Sequence, residues 1–443
     1  RMACKELIDS PKIKIYLRLF EELENFYDPE MRLISVLKDK DQNLLEHTKE
    51  LLQRSEPVFS KFREKFGNIF TEELTIQSLD KLERSLKGKY SNDCEFPLSY
   101  FSQALVEFSK TFGVNLRFFS GKKSRKIIGV SSRVLVLNSL RKPKAIEINC
   151  EDGKNRMFMV KCGEDLRSDA RIMALFSLFN SITEKRNLYT YDVLTVSSTI
   201  GLIKWVKNSV SLKSLVENEL QSKIIETPAF MQRNSFLSTI TGNQSDKHLK
   251  LYSIDDESII EEFDKETRFF SVGALSNSIK KMVSNAAAFV EIRNKLAVDY
   301  ASSCFAGYIF GIGDRHCDNI MFSLSSKSFF MIDFGCSFNM GIRLTLPELV
   351  PFRLTSSILS VLHPGHVVGR FRNSMVHLSH SIRKKADDIT DYISVYTQEP
   401  LLDWKRLEMK ELSDEGFSKE RVNSVRQKLN FRNPKLILQQ EFE

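Results

Sequence analysis

Apolar residues recur at helical spacing through the first part of the chain. Leu33, Val36, Leu37, Leu44, Leu45, Leu51 and Leu52 fall on the steps expected for one helix face. Val58–Phe66 repeats aromatics at three- and four-residue steps, and Gly67 offers a stop. A further stripe runs through Phe101, Ala104, Leu105 and Phe108. Such stripes are core far more often than ligand site, so residues 1–120 are expected to form a helical packing or docking module.

The period changes near Gly121–Lys126. Arg133–Leu137, Ala145–Asn149 and Met157–Lys161 are short and β-rich, with Pro143 and Asp152-Gly153 marking turns between them. Asp169 to Ile182 then places Ile172, Leu175, Leu178, Phe179 and Ile182 on one helical face. A further β-rich run, Tyr191 to Ser197, leads to Gly201–Val206. Strands with one helix predict a small α+β lobe over 121–206. A mainly helical C-terminal lobe is expected over 207–443, with a polar surface insertion at about 222–275. The exception within it is a hairpin. Ile320–Leu324 and Phe329–Ile332 read as two strands joined by the polar turn Ser325–Ser328. There is no internal repeat.

The hairpin gives the flanking residues their meaning. Gly311-Ile-Gly-Asp-Arg-His-Cys-Asp-Asn319 precedes it and Ile332-Asp-Phe-Gly335 ends it. A hairpin sets the start of its first strand beside the end of its second, so Asn319 and Asp333 are expected side by side, with Asp314 one short loop upstream. Phosphoryl transfer from ATP needs a proton acceptor for the attacking hydroxyl and oxygen ligands for magnesium. Asp314 can accept the proton, while Asn319 and Asp333 offer hard oxygens to the metal.

Composition narrows the classes. Hydrophobic residues make up 42% and charged residues 28% of the 443, the balance of an ordinary globular protein. No apolar run is long enough to cross a bilayer, so no membrane partner is expected, and the first residues do not read as a secretory signal. Seven cysteines without a Cys-x-x-Cys pair predict reduced thiols and no zinc cluster. The net charge of +8 suits acidic partners, and equally a solvated surface with excess lysine.

Three features of the small lobe bear on a nucleotide. Lys161 ends a strand, and a lysine there can meet phosphate oxygens as a point charge, oriented by Glu164 or Asp169. No glycine-rich loop precedes it; Asn138–Pro143 is the candidate phosphate-covering turn, with Ser139 able to donate from its backbone or hydroxyl. Trp205 offers a flat apolar face to a base, with the Val206 backbone for hydrogen bonds. A core tryptophan is the alternative.

Taken together, Gly-Ile-Gly-Asp-Arg-His-x-x-Asn, Ile-Asp-Phe-Gly and Pro347-Glu-Leu-Val-Pro-Phe-Arg-Leu-Thr355 resemble the phosphatidylinositol 3-kinase-related protein kinases. Ser139–Lys144, Val160–Arg167, Gly201–Trp205 and Glu399–Trp404 extend the resemblance over roughly residues 126–440. It implies an α+β, bilobal, protein-kinase-like fold of the PI3/PI4-kinase type, with a β-rich N-lobe and a mainly helical C-lobe. The helical module before residue 120 would correspond to the end of the FAT region and a cleft-guarding bundle. The implied activity is ATP- and Mg2+-dependent serine/threonine phosphorylation. Asp314 matches the catalytic aspartate, His316 the histidine that steadies the γ-phosphate, and Asn319 and Asp333 the magnesium ligands. Lys161 matches the phosphate lysine and Ser139 falls in the phosphate loop. Trp205 and Val206 match the adenine-facing hinge, and Tyr191, Met321 and Ile332 line the adenine pocket. The resemblance also implies protein substrates, a nuclear location, and a role in DNA double-strand break repair by non-homologous end joining. Partnership with DNA ends and the Ku heterodimer would run through parts outside this chain.

Three departures stand out. Cys336 replaces the histidine that usually follows Asp-Phe-Gly, and Cys162 replaces the usual glycine after the lysine. The short FATC segment is not among these residues, so a fragment is expected. A phosphoinositide kinase shares the motifs, but its headgroup calls for clustered cations after Asp333. Asp333–Val350 holds Arg343 and no lysine, which favours a protein substrate. A scaffold without catalysis would lack one of the three oxygen-bearing residues, and all three are present.

Overall fold

A computed structural model of the chain describes residues 11–24, 26, 94–112, 117–120, 123–137, 139, 142–183, 187–221, 273–343, 352–365, 367–398 and 414–431. The stripes at 33–66, most of the polar insertion, the neighbours of Ser139 at 138, 140 and 141, residues 344–351 and Glu399–Trp404 lie outside these residues. The described residues fall into two units.

The first unit takes in residues up to 175, with 190–206, 396–398 and 414–418. Helix α1 (Pro11–Glu24) turns Ile15, Tyr16, Leu19, Phe20 and Leu23 to one side and leaves Leu17 and Arg18 exposed, the amphipathic division of a docked helix. Phe26, just beyond it, stacks on Phe101 with ring centroids 4.8 Å apart. Strand β1 (Cys94–Pro97) follows, then the short helices α2 (Gln103–Val106) and α3 (Phe108–Phe112). Ser102 caps α2, its hydroxyl accepting from the Leu105 N–H at 3.0 Å, and donates to Glu22 of α1 at 2.6 Å.

Next come β2 (Arg117–Ser120), β3 (Lys123–Val130), β4 (Arg133–Val136), β5 (Lys144–Cys150) and β6 (Asn155–Cys162). Helix α4 (Arg167–Ile182), β7 (Val193–Thr195) and β8 (Ile200–Lys204) complete the series. The strands join antiparallel in the order β1-β4-β5-β6-β8-β7, with β3 pairing both β2 and β5. Period two is visible along β6. Phe158, Val160 and Cys162 are buried in the core with Ile146, Ile148, Ile200 and Leu202, while Met157, Met159 and Lys161 take the other face.

The helical reading of 1–120 needs correction here. Cys94–Pro97 and Arg117–Ser120 are strands, because sheet partners (β4 and β3) override weak local patterns. Pro97 is tolerated because β1 is an edge strand. The stripe through Phe101 and Phe108 is two short helices rather than one.

The second unit holds 176–189, 207–395 and 419–431 among the described residues. Strand β9 (Ser209–Ser211) runs into α5 (Leu212–Gln221), followed by α6 (Ala274–Lys281) and α7 (Ala286–Phe310). The hairpin strands are β10 (Ile320–Ser323) and β11 (Ser328–Met331). Helices α8 (Ser356–Leu362), α9 (Arg372–Arg383), α10 (Ala386–Thr397) and α11 (Asp414–Leu429) follow. A π-helical turn, Val367–Phe371, leads into α9.

Helix α7 is the axis of this unit. Its later part is buried on every side, unbroken from Tyr300 to Gly307, while Ala286, Ala287 and Val290 in its first turns are exposed. Leu296, Ala297, Tyr300, Ala301 and Cys304 are buried with Leu215, Ile279, Phe322, Phe329 and Val361. Asn285 caps its start, accepting from the Ala288 N–H at 2.9 Å. Gly311 ends it in the left-handed conformation, φ +56°. A Cβ at Gly311 would lie 2.1 Å from Asn339 Oδ1 and 2.4 Å from the Asn339 nitrogen, so only glycine fits.

Candidate active site

The loop after α7 and the end of the hairpin form one hydrogen-bonded body. Ile320 pairs with Met331 at the open end of β10–β11. The Ile332 N–H donates to the Asn319 carbonyl at 3.1 Å, which extends the ladder by one pair and leaves Asp333 as the next residue out. Gly313 N–H donates to the Cys336 carbonyl at 2.8 Å, and Asn339 N–H to the Gly311 carbonyl at 2.9 Å. The segments on either side of the hairpin are therefore laced together along their length.

Arg315 is the centre of this lacing. It is 4% exposed. Its guanidinium donates from Nε to the Gly313 carbonyl at 2.7 Å, from Nη1 to the Ile332 carbonyl at 2.8 Å, and from Nη2 to the Asp333 carbonyl. It also lies over the Phe334 ring, 5.4 Å from the centroid. Phe334 meets Phe176 edge-on at 5.6 Å. A planar fork that satisfies three backbone oxygens fixes the path of both segments. Nothing local in the sequence marks Arg315 for this part, because two of its three acceptors lie beyond the hairpin.

Asp314 and Asp333 both sit in left-handed backbone, with φ +57° and +60°. Phe338 and Asn339 do as well, at +58° and +69°. Such residues cost of order 1–3 kcal/mol each and persist only where surroundings over-determine them. Here the surroundings are the Arg315 bonds and the laced backbone. Asp314 is about half exposed, with Oδ2 3.9 Å from His316 Nε2. Asn319, 6% exposed, donates from Nδ2 to the Asp314 carbonyl at 2.9 Å. That bond leaves Oδ1 as the end able to meet a cation. At Gly335 a Cβ would lie 3.7 Å from Asp333 Oδ1, so the chain beside that carboxylate carries no side chain.

One neutral and one anionic oxygen donor fit Mg2+, which keeps waters and substrate phosphates as its other ligands. Among the described residues no group of three or more His, Cys, Asp or Glu could hold a metal by itself. Met321 and Ile332, both half-buried, share one face of the hairpin by strand alternation, opposite the core-facing Ile320, Phe322 and Phe329.

Elements outside the motif hold the hairpin. β9 adds a third strand, Ser211 opposite Met321; three residues, two of them serine, carried no strand signal in the sequence. Lys295 on α7 bonds the Ser326 carbonyl at 2.9 Å and the Ser328 hydroxyl across the turn, and pairs with Asp299 at 3.3 Å. Burial pushes the Asp299 carboxyl up, with Lys295 opposing. Burial likewise holds the Tyr300 hydroxyl protonated, and it donates to the Arg353 carbonyl at 2.7 Å.

The remaining candidates lie in the first unit. Lys161, the penultimate residue of β6, pairs with Glu164 at 3.1 Å with its side chain 11% exposed. Glu164 is one of the two partners open on sequence. Lys161 stands opposite Gly201 in the ladder. A Cβ at Gly201 would come within 2.7 Å of Leu166 Cδ1 and 2.9 Å of the Leu194 carbonyl, so this glycine lets β8 approach. Trp205 follows β8 and donates its backbone N–H to the Met157 carbonyl at 2.9 Å; it and Val206 are half-buried. Tyr191 is buried, its N–H donating to Met173 Sδ at 3.4 Å. Ser139 is exposed in the β4–β5 connection, where its carbonyl accepts from Lys142 N–H at 3.2 Å.

The family model described as phosphatidylinositol 3- and 4-kinase matches residues 156–406, and the chain belongs to that family. The fold is that of its kinase domain, α+β, sheet-rich in its N-terminal part and helical in its C-terminal part, as expected. The chain is similar to the DNA-dependent protein kinase catalytic subunit of Xenopus laevis, 32% identical over 316 residues, 67% of this chain and 8% of the relative. To that of Mus musculus it is 31% identical over 388 residues, 81% of this chain and 9% of the relative. Serine/threonine-protein kinase ATR of Drosophila melanogaster is 29% identical over 346 residues, 71% of this chain and 13% of the relative. The chain thus spans a small part of the curated relatives it matches. Among solved structures, the FAT and kinase domain of CtTel1 superposes with a TM-score of 0.61 at 18% identity, covering 94% of this chain and 30% of that one. The open conformation of CtTel1 gives 0.61 at 19%, covering 90% and 17%.

Proposed function

We propose that this chain transfers the γ-phosphate of ATP to serine and threonine hydroxyls of protein substrates. The observation that carries the reading is the body built around Arg315, which gathers Asp314, Asn319 and Asp333 at one end of a hairpin. The substrate hydroxyl oxygen attacks the γ-phosphorus, the bond to the bridging oxygen of ADP breaks, and the hydroxyl proton passes to the Asp314 carboxylate. His316, its Nε2 near Asp314, donates to an oxygen of the transferring group. Asn319 Oδ1 and Asp333 would hold Mg2+, which would neutralise phosphate charge.

In the first unit this reading gives Lys161 and Ser139 to nucleotide phosphates, and Tyr191, Trp205 and Val206 to the base. In the second it gives Met321 and Ile332 to the base. The Glu164 pair supports the lysine's part, since it holds the ammonium in one place. The segment after Asp333, with one arginine and no lysine as far as Val350, supports a protein rather than a phosphoinositide acceptor.

Kinship with DNA-dependent protein kinase catalytic subunits supports a nuclear place in double-strand break repair by end joining. DNA ends and the Ku heterodimer would be met through parts beyond these residues. No described helix is long and apolar enough to cross a membrane. The test is label transfer from γ-labelled ATP to a serine/threonine peptide library and to phosphoinositide vesicles in parallel. Labelled peptides, preferring glutamine after the acceptor, support the proposal; labelled lipid with unlabelled peptide overturns it.

A further inference from the structure

His316 is held from a side of the loop that the motif does not describe. The Asp318 N–H donates to His316 Nδ1 at 3.2 Å. A neutral imidazole whose Nδ1 accepts must carry its proton on Nε2, the nitrogen 3.9 Å from Asp314 Oδ2. Asp318 is itself gripped by the start of α5. Its Oδ2 pairs with Lys213 Nζ at 3.2 Å, and its Oδ1 accepts from the Ser211 hydroxyl at 3.3 Å. The Lys213 N–H donates to the Cys317 carbonyl at 3.1 Å. Ser211 is in turn fixed by the Ser214 N–H, which donates to its hydroxyl at 3.1 Å. The contacts fix both the peptide that bonds the ring and the carboxylate of the same residue.

We propose that Asp318 is a positioning residue: anchored by Lys213 and Ser211, it fixes His316 in the tautomer that presents an Nε2–H donor beside Asp314. The proposal rests on the phosphoryl-transfer reading for its consequence in turnover, and on the loop geometry for the tautomer. The Asp318–Lys213 pair is about half exposed on both sides, so it contributes little to folding. Its removal should act on the ring and on kcat rather than on stability.

The test uses the chain with 15N-labelled histidine, observed by NMR at about pH 8, where an ordinary imidazole is neutral. His316→Gln identifies the ring's signals. The parent protein should show a single Nε2–H tautomer with a hydrogen-bonded Nδ1. In Asp318→Ala and in Lys213→Ala the ring should move toward mixed tautomers. Turnover should fall about tenfold, as expected when a reacting group loses its alignment. KM for ATP should stay within about twofold and the melting temperature within about 2 °C, as for loss of an exposed pair. Asp318→Asn, which keeps an acceptor for Ser211, should fall between the parent and the alanine variant.

An Nδ1–H tautomer in the parent, or ring signals unchanged in both alanine variants, would overturn the proposal whatever the activity. The predicted ring changes in a protein that labels neither peptide nor lipid would uphold the positioning role and overturn the phosphoryl-transfer reading instead.

Discussion

Lys161 and Trp205 of the first unit hold their places through ladder register, one opposite Gly201 and the other bonded back to Met157. Asp314 and Asp333 of the second unit stand in left-handed backbone at the two edges of a hairpin, kept there by Arg315. In the sheet, the face a residue takes follows from the alternation along its own strand. In the loop, it follows from contacts with residues 17 and 18 positions away. Regular structure suffices to hold the Lys161 ammonium beside Glu164. The turns that carry Asp314 and Asp333 take strained backbone that the surrounding contacts stabilise.

The contrast breaks most readily at Asp314. Asp314→Ala should lower turnover about 10³-fold, the range of general-base loss, and leave nucleotide affinity intact. Single-turnover label transfer and nucleotide titration check it. Turnover within tenfold of the parent would remove the base from the loop.

Two arginines give the next comparison. Arg315→Lys replaces a planar fork with an ammonium and strands buried carbonyls, at a cost of about 2–4 kcal/mol. Arg156→Lys on β6, where the partner is Asp152 at 2.7 Å near the surface, should cost below about 1 kcal/mol. Denaturant midpoints of the two variants measure the gap, and equal losses would mean that Arg315 is no organising centre.

Asp333→Ala and Lys161→Met should each weaken ATP binding about tenfold, the scale of one charge-assisted contact. Only the former effect should vanish when magnesium is withheld. Identical magnesium dependence in both variants would erase the distinction drawn between the two regions.

The smallest effect concerns Asp299 under the hairpin. Burial raises its carboxyl above the ordinary value near 3.8. The folded state therefore holds this proton more tightly than the unfolded state does. Its contribution is full below that value and is lost as pH rises through the raised one. Asp299→Asn should remove this loss, so the difference in melting temperature between parent and variant should change across that acid window. A constant difference would show Lys295 cancelling the burial.

Much of this was legible in the order of residues. Met157–Lys161 and Ala145–Asn149 read as strands from their β-rich composition and the turn residues between them. The polar turn at Ser325–Ser328 specified a hairpin, and with it the nearness of Asn319 and Asp333. Other features carried no local signal. Cys94–Pro97 and Ser209–Ser211 became strands only by finding partners 36 to 42 residues away in β4 and 110 to 114 residues away in β10. Arg315, Ser211 and Lys213 were ordinary polar residues until packing set them against the loop.

The sequence determined which chemical groups are available and which segments can pair, since periodicity and turn chemistry act over a few residues. Tertiary structure decided the left-handed backbone at Asp314 and Asp333 and the burial of Arg315. Each of those depends on hydrogen bonds whose partners come together only when distant elements have packed.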